Sequence, residues 1–125
     1  MVLIGDRSPK SLVWIGASRR ELQGFSREAR EAAGNELDRV QLGREPEDWK
    51  PMAGIGAGAR EIRVRTFEGG AVEHRVVYVA KFEEAVYVLH AFEKKTRKTS
   101  PHHLELAANR YKQMVRERRH RKEAP

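Results

Sequence analysis

REIRVRTFEGGAVEHRVVYVA, residues Arg60–Ala80, carries two alternating runs around a pair of glycines. Ile62 and Val64 alternate with charged residues in the first run, and Val76, Val77 and Val79 enrich the second. Two such runs around a Gly-containing loop predict a β-hairpin of Arg60–Phe67 and Val72–Ala80 with Glu68-Gly69-Gly70 as its loop. A three-residue loop sets Phe67 opposite Ala71, Arg65 opposite Glu73, Arg63 opposite Arg75 and Ile62 opposite Val76. The register pairs opposite charges and apolar residues, both favourable, but leaves Arg63 and Arg75 as like charges face to face. An anion between them would remove the conflict. So would splaying into solvent, or pairing with Glu61 and Glu73.

Outward from the hairpin, Val86–Phe92 (VYVLHAF) is a third strand, joined by a short charged loop, which completes an antiparallel meander. Ser100-Pro101 then starts a helix, with Ser as cap and Pro in the first turn. Leu104, Ala107, Ala108, Tyr111, Met114 and Val115 form its apolar face, and Arg110, Lys112 and Arg116 its opposite face. That stripe can rest on the sheet or receive a partner. On the N-terminal side, Leu12–Ile15 predicts a strand, and Ser18 with Glu21 a capping box for a short helix ending at Gly24. Ser26 caps a second helix to about Gln41, with Ala29, Ala33, Leu37 and Val40 inward and Gly43 as its stop. Residues 43–59 read as a long connection. Its GIGAG (54–58) precedes a strand and has the wrong spacing for a dinucleotide loop, so it is expected to be a flexible lead-in. Helices followed by sequential strands indicate an α+β domain over 1–125, with an arm at 1–10 and a basic tail at 116–125.

The net charge of +7 is unevenly placed. Lys94 to Lys122 holds eleven Lys/Arg against two Glu, whereas residues 1–93 balance to −1. Such one-sidedness suits a polyanion or an acidic protein surface; a solvated basic helix is the plainer alternative. The absence of cysteine excludes disulfides, a thiol nucleophile and thiolate metal sites. With neither a signal-peptide core nor an apolar run of membrane length, a cytoplasmic protein without membrane contact is expected. His90 lies in an apolar strand as either a satisfied core residue or a catalytic one, and His102-His103 at a helix start is weak evidence for metal. Trp14 and Trp49 read as packing residues.

Three segments carry a resemblance: KPMAGIGAGAREIRVRTF, then HRVVYVA, then VYVLHAFEKKTRKTSPHHLELAANRY. Together with LVWIGASRRELQGF they resemble the RelE/ParE superfamily of toxins, nearest to the phage-derived HigB-like branch of type II toxin–antitoxin systems, over about Leu12–Met114. The resemblance implies a RelE-like fold: an N-terminal strand and two helices, an antiparallel three-strand meander and a C-terminal helix. It implies a metal-independent endoribonuclease without cofactor that cuts mRNA on the ribosome, the RNA 2′-hydroxyl attacking the adjacent phosphate. By position it implies catalytic roles for Arg63, Arg75, Lys94 and Lys95, with His90 as an alternative acid or base. Tyr111 is a candidate for base stacking by location, and Arg65, Arg97, Lys98, Arg110 and Arg116 are expected to contact RNA. The implied partners are mRNA on the ribosome and a cognate antitoxin, expected to be a helix-turn-helix protein. A gyrase-directed toxin without nuclease activity and a basic phage nucleic-acid-binding protein are the alternatives.

Overall fold

The computed structural model describes residues 8–67, 69–95 and 97–123. In chain order its elements are β1 (Ser11–Trp14), α1 (Ser18–Gln23), α2 (Arg27–Gln41), β2 (Trp49–Pro51), β3 (Ala59–Thr66), β4 (Val72–Val79), β5 (Ala85–Lys94) and α3 (Pro101–Glu123). The architecture is α+β, as expected, but the sheet has five strands rather than three, in the order β1-β5-β4-β3-β2. β3, β4 and β5 form the expected antiparallel meander. β1 adds to it in parallel beside β5, and the unexpected β2 lies antiparallel on β3. β2 is only three residues, too short for alternation to reveal, and Pro51 suits it to an edge.

The hairpin register is the expected one: Ile62 opposite Val76, Arg63 opposite Arg75 and Arg65 opposite Glu73. Within its loop, Gly69 and Gly70 adopt positive φ, and Glu68 lies outside the described residues. Most of the expected arm, residues 1–7, and the last two residues of the tail also lie outside them.

The sheet is covered on both faces. On one, α1 and α2 lay Leu22, Phe25, Ala29, Ala33, Leu37 and Val40 against Ile62, Val64, Val76, Tyr78, Val86 and Val88. The Ser26 hydroxyl accepts from the Ala29 N–H at 3.2 Å, and Gly43 at φ 80° follows the helix end, as the sequence indicates. On the other face, Ala107 and Met114 of α3 pack on Val79, Ala85, Tyr87 and Leu89, so the helix stripe rests on its own sheet. The 54–58 segment is no loose lead-in. Ile55 is buried, and Tyr111 lies over Gly56 while its hydroxyl donates to the Ala57 carbonyl at 2.7 Å.

The capping box does not form. The Ser18 hydroxyl donates to the Val88 carbonyl at 2.9 Å, tying α1 to β5, and Glu21 turns to partners on β5 and α3. The expected tail is helical to Glu123. Arg118 packs over Phe82 and binds Glu84 at 2.6 Å, and Arg121 donates to the Tyr87 hydroxyl at 3.0 Å, so both turn back onto the protein.

Candidate active site

Cross-strand partners point to one side of a sheet, so the registers read as rows. On the face shared with α3, Lys50, Glu61, Val77 and His90 make one row across β2, β3, β4 and β5. Arg63, Arg75 and Phe92 make the next, and Arg65, Glu73 and Lys94 the third. Three rows thus place five cations, two carboxylates and a histidine on one rigid surface. A β-bulge between Val77 and Tyr78 fixes the part played by β5.

Glu61 and Arg75 occupy the centre. Arg75 Nε lies 3.2 Å from Glu61 Oε1, and their side chains are 4% and 0% exposed. Lys50 Nζ approaches the same oxygen at 3.9 Å, and Glu73 lies 3.6 Å from the other side of Arg75. Burial pushes the Glu61 carboxyl above its ordinary value, against the opposing pull of Arg75, Lys50, Lys94 and Arg63. Neither Glu61 oxygen, nor Arg75 Nε or Nη1, has a hydrogen-bond partner. Buried polar groups are nearly always bonded, so an acceptor and a donor held together with unspent capacity call for a functional account.

The Arg63–Arg75 conflict is resolved inside the protein. Arg63 binds Asp48 through Nη2 at 2.6 Å and Nε at 2.9 Å, while Arg75 takes Glu61 and Glu73. Lys94 is half-buried beside this cluster. Lys95 is exposed and borders, with Phe92, Glu93, Lys94, Ser100 and His103, a cavity of about 370 Å³. Arg97, Lys98 and Arg116 are exposed, and Arg65 pairs with Glu73 at 3.0 Å near the loop end of the hairpin.

Arg110 is not on the outer face of α3, where its spacing puts it. It is buried, donates to both Glu21 oxygens at 2.7 and 2.9 Å, and reaches the Leu89 carbonyl at 3.0 Å. Tyr111 likewise packs over Gly56 and donates its hydroxyl to the Ala57 carbonyl, tying α3 to the 54–58 turn. His90 is buried, with Nδ1 2.8 Å from Glu21 Oε1 and Nε2 2.8 Å from His103 Nδ1. Although burial opposes it, hydrogen bonds from His90 and Arg110 hold the Glu21 carboxyl at about 2.

Glu61, Glu21 and His103 were not singled out from the sequence as active groups. Glu61 was legible in principle, because it lies two residues from Arg63 and so shares its face. Glu21 and His103 were not, since each meets His90 only through tertiary packing.

A model of the phage-derived Gp49-like proteins (DUF891) matches residues 20–112. The chain belongs to this family. The match takes in β3, β4 and β5 and all three rows of the site. The Gp49-like family is known as a RelE/ParE-like toxin group, which is consistent with a toxin-like role. No curated protein matches the chain. Among the described residues, no helix is long and apolar enough to cross a membrane.

Proposed function

We propose that this Gp49-like protein is the toxin of a type II toxin–antitoxin system, of the HigB-like branch, and a metal-independent endoribonuclease that cuts mRNA on cytoplasmic ribosomes. The observation that carries the reading is the Glu61–Arg75 pair, buried together with hydrogen-bonding capacity unspent on both sides. Cleavage of RNA by its own 2′-hydroxyl needs a group that takes the hydroxyl proton and donors that hold the phosphate oxygens as charge builds. Glu61 supplies the first and Arg75 the second. A carboxyl raised above its ordinary value by burial is a stronger base than a free one. Arg63, Lys50 and Lys94 add positive charge around the phosphate, and the exposed Lys95, Arg97, Lys98 and Arg116 extend it toward a longer polyanion. Glu61 replaces the lysines as the group that moves the proton; Lys94 and Lys95 act through charge.

The surface that attracts RNA also suits an acidic segment, so the cognate antitoxin, a helix-turn-helix protein or one encoded with it, would cover these basic residues. The test is an incubation with translating ribosomes and end-labelled mRNA. Fragments ending in a 2′,3′-cyclic phosphate are expected, from the wild type but not from Arg75→Ala. Intact mRNA together with inhibited supercoiling by gyrase would replace this reading with the non-nuclease one.

A further inference from the structure

His90 is buried, and both its ring nitrogens are engaged within the protein. What it does is join two groups from opposite ends of the chain, Glu21 of α1 and His103 in the first turn of α3. The hydrogen-bond directions follow from Glu21. An ionised carboxylate only accepts, so His90 carries its proton on Nδ1. Nε2 of His90 is then a lone pair, and the neighbouring His103 must offer Nδ1–H. His103 Nε2 is left as the nitrogen that can face a ligand.

The ring carrying that nitrogen is held in place. It stacks on Phe92 with centroids 4.0 Å apart and planes 12° from parallel, and the His103 N–H meets the Ser100 hydroxyl at 3.4 Å. The ring borders the 370 Å³ cavity with Lys94 and Lys95. Phe92 is the cross-strand neighbour of Arg75. In the adjoining row His90 stands two strands from Glu61, about 10 Å away by strand spacing. An acid and a base on either side of a guanidinium are what an in-line displacement at phosphorus requires.

We infer that His103, oriented through His90 by Glu21, is the proton donor to the leaving 5′-oxygen, a role that rests on the RNA-cleavage reading above. The 2′-oxygen attacks phosphorus and its proton passes to Glu61. The P–O5′ bond breaks, and the proton on His103 Nε2 goes to the departing oxygen. The electron pair of the broken bond stays on that oxygen, and the other product is the cyclic phosphate. His90 and Glu21 are positioning residues. The groups around the pair are Glu21 of α1, Lys94, Lys95 and Glu93 of β5 and its end, and His102 and Arg110 of α3, with Arg110 Nη1 3.3 Å from His90 Nδ1. Burial, then His90 and His102, lower the His103 pKa against the pull of Glu21, which makes its cation a readier donor.

A substrate with sulfur at the bridging 5′ position tests this, because a thiolate leaves without being protonated. mRNA carrying one such linkage in the ribosomal decoding site is compared with its oxygen counterpart in single-turnover cleavage. His103→Gln is expected to slow the oxygen substrate about a hundredfold or more, as loss of a general acid does, and to cut the sulfur substrate within about threefold of wild type. Glu61→Gln is expected to be slow on both. Equal losses of His103→Gln on the two substrates, or none on oxygen, would overturn the assignment. The wild-type pH–rate profile gives a second reading that needs no variant: the fall at high pH is expected with oxygen and absent with sulfur, and a fall in both overturns it. If the wild type cleaves neither substrate, the nuclease reading itself fails.

Discussion

Glu61→Gln removes a charge and almost no volume, and two opposing effects set its consequence for stability. Taking one partner from a buried ion pair costs about 3–5 kcal/mol, because the other charge is left uncompensated. Yet Arg75 keeps Glu73 at 3.6 Å, and burial is the largest influence on Glu61, enough to raise its pKa despite four cations. The charged carboxylate is therefore held at a cost that the amide does not bear. The two effects largely cancel, and unfolding in urea is expected to shift by less than about 2 kcal/mol. Cleavage behaves differently. Losing a general base costs about 10²–10⁴ in rate, or roughly 3–5 kcal/mol of barrier. Single-turnover cleavage on saturating ribosomes at pH 7 should thus fall at least a hundredfold in a protein that remains folded. In the wild type the acid limb of the profile should lie above the ordinary carboxylate value of 4.5, since the folded pKa is raised. A folded Glu61→Gln that cleaves within threefold of wild type would refute the role. A variant that loses cleavage only in proportion to its folded fraction would mark the pair as structural.

The Glu21 carboxyl, held at about 2, adds stability that is present above its ordinary 4.5 and lost as pH falls toward 2, at most about 3 kcal/mol. Urea titrations at pH 7 and pH 3 should show this loss in the wild type and a smaller one in Glu21→Gln; equal losses would remove the network from the account. Gly56→Ala sets a new Cβ 2.5 Å from the Tyr111 ring and should destabilise by about 1–3 kcal/mol, measured by thermal unfolding. Arg116→Gln with Lys95→Gln should lower ribosome affinity and flatten its salt dependence without changing the saturated rate. Arg118→Gln instead removes the contacts with Glu84 and Phe82 and should reduce stability with little effect on salt slope. The reverse pattern in binding titrations would show that the last turns of α3 face the RNA. Co-expression with the neighbouring gene should yield a co-purifying complex, and a harmless toxin that binds no such product would count against the antitoxin.

Much of the fold was legible because its signals are local. The hairpin register follows from a loop length and two favourable cross-strand pairs, and α2 from a cap, an apolar face and a glycine stop. The errors are where a side chain's partner lies far along the chain. Ser18 and Glu21 have the spacing of a capping box, but the carbonyl of Val88 and the guanidinium of Arg110, some 70 and 89 residues away, take them instead. Arg110 was put on the outer face for the same reason: on spacing alone an arginine belongs in water, and only a buried carboxylate brings it inward. The candidate site divides along the same line. Arg63 and Arg75 came from register, whereas the Glu21–His90–His103 chain depends on α1 and α3 meeting at β5.

One residue in β5 governs whether the site exists. Val79 faces Tyr87 and Tyr78 faces Val88, but Val77 faces His90, so Leu89 is the extra residue of the bulge. Up to that point, even-numbered residues of β5 turn toward α2, as Val86 and Val88 do. Past it the parity reverses: Ala91 packs with the α2 cluster and Phe92 with the α3 side. An unbroken strand would carry His90, Phe92 and Lys94 to the α2 face, away from Arg75 and out of reach of His103. The bulge leaves the α2-side core intact and brings the end of the strand to the charged face. β-Bulges re-aim side chains beside active sites in this way. The sequence of β5 is apolar without a break from Ala85 to Leu89, so no alternation marks where the extra residue falls. What each face holds shows it instead, the α2-side core on one side and His90, Phe92 and Lys94 beside Glu61 and Arg75 on the other.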